Sequence, residues 1–434
     1  NDLACTPIIL GHSGRGRAAM KKTGALLIGS ALGLVAGQTM ASGFGVSYQS
    51  VSAMGTAYAG AGVLSENASN QWYNPATLAG LKKTELSVAV HQVWVDTHFE
   101  ADASTTGFSN GPGDMEDVEP FVGSGFLAVP ISETMTFGFS VTAPFGTKVE
   151  YEDNWGNGLS PVGPFSGDFY STESDLQTIN LNPSLGIQLT DNLNVGIGVS
   201  YQTLDADIEN AATRLEGDDD AYGWNLGLTY SPDDNNHFGV AYRSSIDYEV
   251  EGDITFKTAG PIAGPHSGST DVELPASLQL SYAGDLSDRT QILLGVEWME
   301  WSSLDELVID HAGPAPLPNP AVEAFDWENT ARYSLGLRHG LSESTVLRFG
   351  VAMEESTQGT NNRSAISPDS EKVWATIGAG FEPMENMLID VAYAHVFVDD
   401  ADINRADASR APAVLNGTYE LDADVIGAQL SYRF

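Results

Sequence analysis

A period-two alternation of apolar and polar residues is the feature that most constrains the fold of this chain. In the C-terminal stretch "DVIGAQLSYRF" (424–434), the even positions from Ile426 to Phe434 are apolar, whereas the odd positions carry Gly, Gln, Ser and Arg. A strand with one apolar face and one polar face is typical of a transmembrane β-strand between lipid and a lumen. A strand of a soluble sandwich alternates in the same way, so one strand does not separate the two folds.

The same alternation recurs along the chain and predicts fourteen strands. Their predicted ranges are 84–101, 118–131, 134–150, 172–190, 193–211, 219–231, 237–256, 270–284, 289–303, 328–340, 344–356, 371–383, 386–403 and 416–434. Outer-membrane barrels of bacteria have an even number of strands, because both chain ends lie on the periplasmic side.

The connections between these strands alternate in length. Short turns such as "SET", "TDN" and "LSES" are followed by long connections such as 146–171 and 304–327. Short periplasmic turns and long external loops are typical of an outer-membrane barrel. After residue 41 no apolar run is long enough for a transmembrane helix. The chain is therefore predicted to be all-β, a transmembrane antiparallel β-barrel of fourteen strands over residues 84–434.

Residues 1–41 are predicted to lie outside the folded protein. Two lysines, an apolar run and a small-residue site follow one another in residues 20–41, an order typical of a secretory signal peptide. Residues 1–19 precede the methionine of that peptide and are interpreted as an upstream extension. The only cysteine, Cys5, falls in this part. We therefore expect neither a disulfide nor a thiolate metal site in the secreted protein.

The charge of the chain excludes one class of partner. The sequence has 58 Asp and Glu against 19 Lys and Arg, and so acidic a surface repels nucleic acid. The histidines show no metal-ligand spacing, so we expect no metal and no cofactor. No motif marks a catalytic Ser/His pair, so an enzyme built on a barrel is the least favoured of three functional hypotheses.

Residues 42–83, which we call the hatch segment, precede the first predicted strand. The segment is rich in Gly and Ala and includes "ENASNQWYNPATLAG" (66–80), where Trp72 and Tyr73 follow neither a strand period nor a helix period. A fourteen-stranded lumen is too wide for the side chains of its wall to fill. We therefore expect the hatch segment to fold inside the barrel as a plug, where the two aromatic residues are buried.

The hatch segment also resembles a known family. Phe44, "SAMGTAYAGAG" (52–62) and Asn74-Pro75-Ala76, followed by fourteen strands and a terminal Phe, resemble the FadL-type transporters of long-chain fatty acids and hydrocarbons. The resemblance implies a hatch that plugs the barrel and uptake of hydrophobic molecules by passive diffusion. It also implies an inward kink in the third strand that opens a lateral gap in the wall.

The third strand contains "TAPFG" (142–146), where residue chemistry also favours a break. Pro144 has no N–H to donate to a neighbouring strand, and Gly146 weakens pairing. Pro144, Phe145 and Gly146 are therefore the predicted site of the lateral opening. The residues predicted to line the substrate pocket or gate are Phe44, Tyr48, Leu64, Trp72, Tyr73, Asn74, Pro75, Ala76 and Leu78. The alternative, that these residues only pack the plug, remains open.

A fatty carboxylate needs a cation that faces the lumen. Counting alternate positions along the strands places Lys148 and Arg332 inside the upper half of the barrel, so they are the carboxylate candidates. The other inward arginines are predicted to pair with acids such as Glu66 or Glu297; they are Arg243, Arg338 and Arg348. Because basic residues are few, neutral alkanes or aromatic hydrocarbons remain alternative substrates.

The predicted partners follow from these assignments. They are hydrophobic small molecules, outer-membrane lipid and lipopolysaccharide, and the barrel is expected to be a monomer. The predicted location is the outer membrane of a Gram-negative bacterium. A general diffusion porin for polar solutes is the second functional hypothesis.

Overall fold

The structure is a computed structural model. It describes residues 42–101, 115, 119–153, 155, 158–160, 163–165, 167–257, 263–314, 319–406 and 414–434. The predicted signal peptide and upstream extension (1–41) lie outside the described residues. Within these ranges, no helix is long and apolar enough to cross a membrane. The helices are α1 (Val51–Met54) and the 3-10 helices Ala68–Trp72, Pro75–Gly80, Gly167–Phe169 and Trp301–Ser303.

Twenty of the strands form one antiparallel sheet that closes on itself. The strands are β1 (Glu85–Ala101), β2 (Phe121–Pro130), β3 (Met135–Thr142), β4 (Gly146–Glu150), β5 (Gly158–Ser160), β6 (Gly163–Phe165), β7 (Glu173–Thr190), β8 (Leu193–Glu209), β9 (Thr213–Asp233), β10 (Asn236–Arg243), β11 (Ile246–Phe256), β12 (Gly264–Leu274), β13 (Ser277–Ser287), β14 (Thr290–Met299), β15 (Glu306–His311), β16 (Ala321–Ala324), β17 (Thr330–Gly340), β18 (Thr345–Glu354), β19 (Lys372–Met384), β20 (Met387–Val398), β21 (Ala401–Ala406) and β22 (Val414–Arg433). Only β5 and β6 lie apart, as a separate pair among the described strands.

Six of the barrel spans are interrupted, so that two consecutive strands share one span. These pairs are β3/β4, β10/β11, β12/β13, β14/β15, β16/β17 and β20/β21. Counting each pair once leaves fourteen spans, and β22 pairs with β1 along the whole length of β1 to close the barrel. The predicted all-β barrel of fourteen strands is confirmed.

The predicted strand ranges differ from the observed ones mainly at the ends away from the short turns. The predicted loop 304–327 contains β15 and β16, which pair with each other. The sixth strand begins at Thr213 rather than at residue 219, because Asp218 pairs with Asp205 of β8 and with Glu251 of β11. Above the lipid both faces of a strand can carry polar residues, so the alternation that reveals the membrane part is lost there.

The hatch segment folds against the inner faces of the barrel strands. Its backbone is held in short helical turns: Ser50 caps α1 by accepting a hydrogen bond from the amide of Ala53, and Asn67 caps the next turn. Most of its residues are buried, including Tyr48, Met54 and Leu78. The segment therefore has a defined structure without a core of its own.

Glycines on the inner face of the wall allow this close packing. A Cβ atom on Gly196 would lie 2.3 Å from the backbone nitrogen of Ala76, and one on Gly227 would lie 1.8 Å from Asn74 Oδ1. Both distances are far shorter than any atomic contact that packing tolerates. Gly196 and Gly227 thus mark two positions where the wall touches the hatch segment.

Candidate functional site

The third span is broken between β3 and β4. Thr142 pairs with Asn180 of β7, and Gly146 pairs with Gln177. Four residue steps on the third span therefore match three on its neighbour, so the span contains one extra residue, as in a β-bulge. Pro144 and Phe145 lie in this break, and Gly146 is the first residue after it.

The backbone at the break pairs with the hatch segment. The amide of Val46 donates to the carbonyl of Pro144 at 2.8 Å, and the amide of Gly146 donates to the carbonyl of Phe44, also at 2.8 Å. Phe145 and Gly45 form an isolated antiparallel bridge. Because a buried backbone group needs a partner, the hatch segment supplies what a neighbouring strand supplies elsewhere in the barrel.

The wall is incompletely paired beside this break. The pairing of β2 with β3 stops at Gly125 and Val141, so residues 121–124 of β2 have no partner in the third span. Among the described strands, β4 pairs only with β7. Within the described residues, β4 is therefore not joined to β2 by a ladder of hydrogen bonds.

The extra residue also reverses which positions face inward. Ser140 and Thr142 are buried on the inner face before the break, whereas Phe145 and Val149 are buried on the inner face after it. Lys148 consequently lies on the outer face, where its ammonium group is 3.5 Å from Asp175 of β7. The prediction that Lys148 faces the lumen is wrong, because counting alternate positions assumes an unbroken strand.

An apolar cavity of about 100 Å³ lies inside the barrel beyond the break. Phe44 of the hatch segment forms one wall, and aliphatic side chains of β7, β8, β11 and the connection after β14 form the others. Those side chains include Leu176, Leu204, Val250, Ile254 and Leu304. No Lys or Arg lines this cavity among the described residues. It therefore offers a ligand apolar contact and no counter-charge.

An aromatic cluster closes the cavity on the side of Phe44. The Phe44 ring centre lies 4.8 Å from that of Trp327 and 6.4 Å from that of Trp301, and Phe145 packs edge-on against Trp301 at 5.9 Å. Within the described part of the chain, neither buried indole N–H has a hydrogen-bond partner. Such an unpaired donor costs about 1–3 kcal/mol.

A second cavity, of about 70 Å³, includes Phe145 of this cluster in its lining. It is lined by Pro144 and Phe145 of the break, by Trp72 and Tyr73 of the hatch segment, and by the guanidinium of Arg243. The first cavity is therefore apolar, whereas the second is partly polar and bordered by the broken span.

Arg332 lines the second cavity, but carboxylates already neutralise it. Its guanidinium lies 2.5 Å from Glu297 and 3.9 Å from Glu354, and it also covers the ring of Tyr58 at 4.6 Å. An incoming carboxylate would have to compete with two acids fixed in the wall. Arg332 is therefore a weaker carboxylate site than its inward direction suggests.

Asn74-Pro75-Ala76 joins the hatch segment to the wall. Asn74 Oδ1 accepts a hydrogen bond from the amide of Ala76 at 2.9 Å, and Pro75 occupies the first position of the 3-10 helix, where no N–H is needed. Asn74 Nδ2 donates to the carbonyl of Gly62 at 2.7 Å and to that of Leu228 at 3.0 Å. One side chain thus caps a helix and connects two parts of the hatch segment with β9.

A buried ion cluster joins the lower part of the hatch segment to the barrel. Glu66 contacts the guanidinium of Arg348 and lies 3.2 Å from that of Arg338, while Arg348 also lies 2.8 Å from Asp390. Burial acts to raise the pKa of the Glu66 carboxyl, but the two guanidinium groups outweigh it and hold that pKa below its usual value. Glu66 therefore stays ionised, as the sequence-based pairing with these arginines requires.

The remaining predicted pocket residues lie away from both cavities. Tyr48 packs against His91 and Trp374, with ring centres 6.0 Å apart in each case. Leu78 packs in a cluster with Phe126, and Leu64 lies near Glu66. Of the nine hatch candidates, the structure brings four to the cavities; these are Phe44, Trp72, Tyr73 and Pro75.

The sequence does not predict three residues near the cavities. Trp301 and Trp327, which pack against Phe44, lie at the ends of the predicted loop 304–327, and Arg243, which lines the second cavity, is predicted to pair with an acid. Aromatic residues clustered at the ends of a long predicted loop, "WMEWSS" and "AFDWEN", were the available signal. Among the described residues, no group of three or more His, Cys, Asp or Glu could hold a metal ion.

Known proteins resemble this chain over nearly its whole length. It is 26% identical to "Outer membrane protein P1" of Haemophilus influenzae, a match that covers 96% of this chain and 100% of that protein. It is 23% identical to a "Long-chain fatty acid transport protein" of Escherichia coli, over 93% of this chain and 97% of that protein.

Solved structures share the fold. The crystal structure of a Pseudomonas aeruginosa FadL homologue superposes with a TM-score of 0.81 at 22% identity, over 90% of this chain and 100% of that chain. The toluene transporter TodX of Pseudomonas putida gives a TM-score of 0.64 at 14% identity, over 91% and 99%. A family profile described as "Outer membrane protein transport protein (OMPP1/FadL/TodX)" matches residues 32–434. The chain therefore belongs to this family of outer-membrane transport proteins.

Proposed function

We propose that this protein takes up hydrophobic molecules, long-chain fatty acids in the first place, by passive diffusion through a barrel that the hatch segment plugs. The solute enters the apolar cavity, passes the aromatic cluster at Phe44 and leaves sideways through the wall beside Pro144 and Phe145. Neutral alkanes or aromatic hydrocarbons are the alternative substrates of the same route, since relatives named for fatty acids and for toluene both resemble the chain.

The observation that carries this proposal is that Phe44 both lines the apolar cavity and pairs with the broken span. Apolar solutes are stabilised where water is excluded, which an open aqueous pore cannot provide. Phe44 lines the cavity, and its carbonyl accepts the hydrogen bond from Gly146 at the break. Movement of this part of the hatch segment would therefore affect the cavity and the wall together.

The partners follow from the route. A solute that leaves sideways enters the lipid of the outer membrane, so lipid and the lipopolysaccharide around the barrel are the surroundings of the exit. We propose a monomer, because a single barrel contains the cavity, the hatch segment and the break. The family consists of transport proteins, and we propose no catalytic role.

Two measurements on the full-length protein test the proposal. In cells that lack their own channel of this kind, expression should restore uptake of a labelled long-chain fatty acid or alkane. In planar bilayers the purified protein should conduct few ions, because the hatch segment fills the lumen. Steady high conductance without hydrophobic uptake would instead establish a diffusion porin.

A further inference from the structure

We propose that the carboxylate of Glu354 binds the α-ammonium group that removal of residues 1–41 would create at Ser42. The first residue of the hatch segment is then fixed to the wall by an ion pair that exists only in the processed protein. This inference goes beyond the proposed function, because it concerns the processing of the chain and no substrate takes part in it.

Ser42 places two polar groups against one carboxylate oxygen. Its backbone nitrogen lies 2.6 Å from Glu354 Oε1. Its hydroxyl oxygen lies 2.9 Å from the same Oε1 and 2.6 Å from the carbonyl oxygen of Glu355. Ser42 is only 2% exposed and Glu354 only 6%. The nitrogen of the predicted first residue is therefore held against an acid and away from water.

The carboxylate of Glu354 lacks a close counter-ion. Among the described residues, no Lys or Arg nitrogen lies nearer to it than that of Arg332, at 3.9 Å, and Arg332 is closer to another acid. Lys372 is opposite Glu354 in the next strand, but its ammonium group contacts Asp369 instead. A buried carboxylate is costly without a counter-ion. An α-ammonium group at Ser42 supplies one at hydrogen-bonding distance.

A tight turn places Ser42 beside this acid. The amide of Gly45 donates to the carbonyl of Ser42 at 3.2 Å, and Gly43 has a φ of +61°, which suits glycine. A Cβ atom on Gly43 would also lie 2.7 Å from the ring of Trp327. The Ser-Gly sequence directly after the predicted cleavage site therefore fits both the turn and the ion pair.

The ion pair would fix the residues that cover the break in the wall. Phe44 is two residues after Ser42, and its carbonyl accepts the hydrogen bond from the amide of Gly146. In a chain that still carries residue 41, the nitrogen of Ser42 belongs to an uncharged peptide group. That group donates a hydrogen bond to Glu354 but brings no counter-charge. Because charge-assisted hydrogen bonds are the stronger ones, processing is expected to strengthen the attachment of the first residues of the hatch segment.

The test moves the ammonium group away from Glu354. One glycine inserted between Ala41 and Ser42 keeps the amide of Ser42 but shifts the charged nitrogen by up to about 3.6 Å along the chain. Glu354→Gln removes the carboxylate and keeps the shape of the side chain. The matched controls are Ser42→Ala, which keeps the ammonium group, and Glu328→Gln, which removes an exposed carboxylate.

Each protein is expressed with its complete precursor, exported and purified from the outer membrane. Intact-mass spectrometry identifies the first residue. Hydrogen exchange is measured for the peptide that contains the amide of Val46, which pairs with the carbonyl of Pro144. Heat-modifiable migration on gels reports whether the barrel has closed.

We expect the wild-type protein to begin at Ser42. Exchange at Val46 should be roughly ten- to a hundredfold faster in the extended chain and in Glu354→Gln, as the loss of a charge-assisted contact predicts. The two changes together should add little to either alone, because both remove the same pair. Both controls should stay within about threefold of the wild type, since neither removes a partner of the ion pair.

Two results would overturn the inference. One is a wild-type chain that begins at another residue. The other is unchanged exchange in the extended chain, which would show that the uncharged amide of Ser42 is sufficient. The extended chain retains every side chain of the barrel, so it tests the pair even if Glu354→Gln does not assemble.

Discussion

The amide of Gly146 donates a hydrogen bond of 2.8 Å to the carbonyl of Phe44, one of the two backbone hydrogen bonds that join the broken third span to the first residues of the hatch segment. The same Phe44 side chain lines the apolar cavity. Substrate that displaces Phe44 would therefore also disturb the pairing that covers the break in the wall.

Removing the extra residue of the third span should close the lateral route. Deletion of Pro144 leaves the same number of residues on the third span as on β7 between the two fixed pairs, Thr142 with Asn180 and Gly146 with Gln177. The strand can then pair continuously without changing the direction of any side chain in β4. We expect uptake of a long-chain fatty acid to fall to near background in whole-cell assays.

Pro144→Ala is the matched control for this deletion, because it changes the residue and keeps the bulge. It should retain most of the uptake. Heat-modifiable migration on gels, which reports a closed barrel, should be normal for both proteins. Normal uptake by a correctly folded deletion would contradict the lateral route and favour passage past the hatch segment to the periplasm.

Deleting residues 42–80 should separate the barrel from its plug. The ladder of hydrogen bonds between the fourteen spans does not involve these residues, so the barrel should still close. The emptied lumen should then conduct ions steadily in planar bilayers and lose its preference for hydrophobic solutes. Failure of the truncated chain to reach the outer membrane would show instead that the segment is needed for assembly.

Glu66→Gln tests the ion cluster at the lower end of the hatch segment. Among the described residues, loss of the carboxylate leaves Arg338 without an acid within 4 Å and Arg348 with Asp390 alone. Breaking a buried ion pair in this way costs about 3 kcal/mol. Amide hydrogen exchange in the hatch segment should become roughly a hundredfold faster, whereas exchange in the barrel strands should not change.

The control for this change is Glu343→Gln, which removes an exposed carboxylate in a short turn. Its exchange rates should match those of the wild type. Equal rates in both variants would show that Glu66 does not hold the hatch segment in place.

Gly227→Ala tests the fit between the wall and Asn74. The added methyl group would lie 1.8 Å from Asn74 Oδ1, so the hatch segment has to shift. Overpacking of this kind costs about 1–3 kcal/mol, and we expect higher ion conductance as the plug loosens. Gly125→Ala is the control, because its methyl group would meet no atom within 4 Å. Equal conductance of the two variants would contradict the close fit.

The strands could be predicted from the sequence because lipid on one side and a polar interior on the other impose a period of two on every membrane-crossing segment. That constraint weakens above the lipid, which is why β15 and β16 were missed. The direction of Lys148 could not be predicted, because a single extra residue in "TAPFG" exchanges the inward and outward positions of all residues that follow it in the span. The alternation of apolar and polar residues in the sequence does not show this exchange.

The two cavities depend on contacts between parts of the chain that are far apart in sequence. Phe44 contacts Trp301 and Trp327 in the folded barrel, and Arg243 donates a hydrogen bond to the carbonyl of Trp72. A lone arginine on the polar face of a strand gives no indication of whether its partner is an acid or a carbonyl group. Local pattern therefore predicts the break at Pro144, but not the long-range contacts of Phe44 and Arg243.

The close fit of the hatch segment against the wall glycines also restricts the order of biogenesis. Asn74 reaches the carbonyl of Leu228 in β9, while Gln429 of β22, in the last span, accepts a hydrogen bond from the amide of Val51. A segment that contacts strands all around the lumen fits only where those strands have their final register. We therefore expect the hatch segment to fold together with the closing barrel, so that both ends of the chain are fixed in the same step.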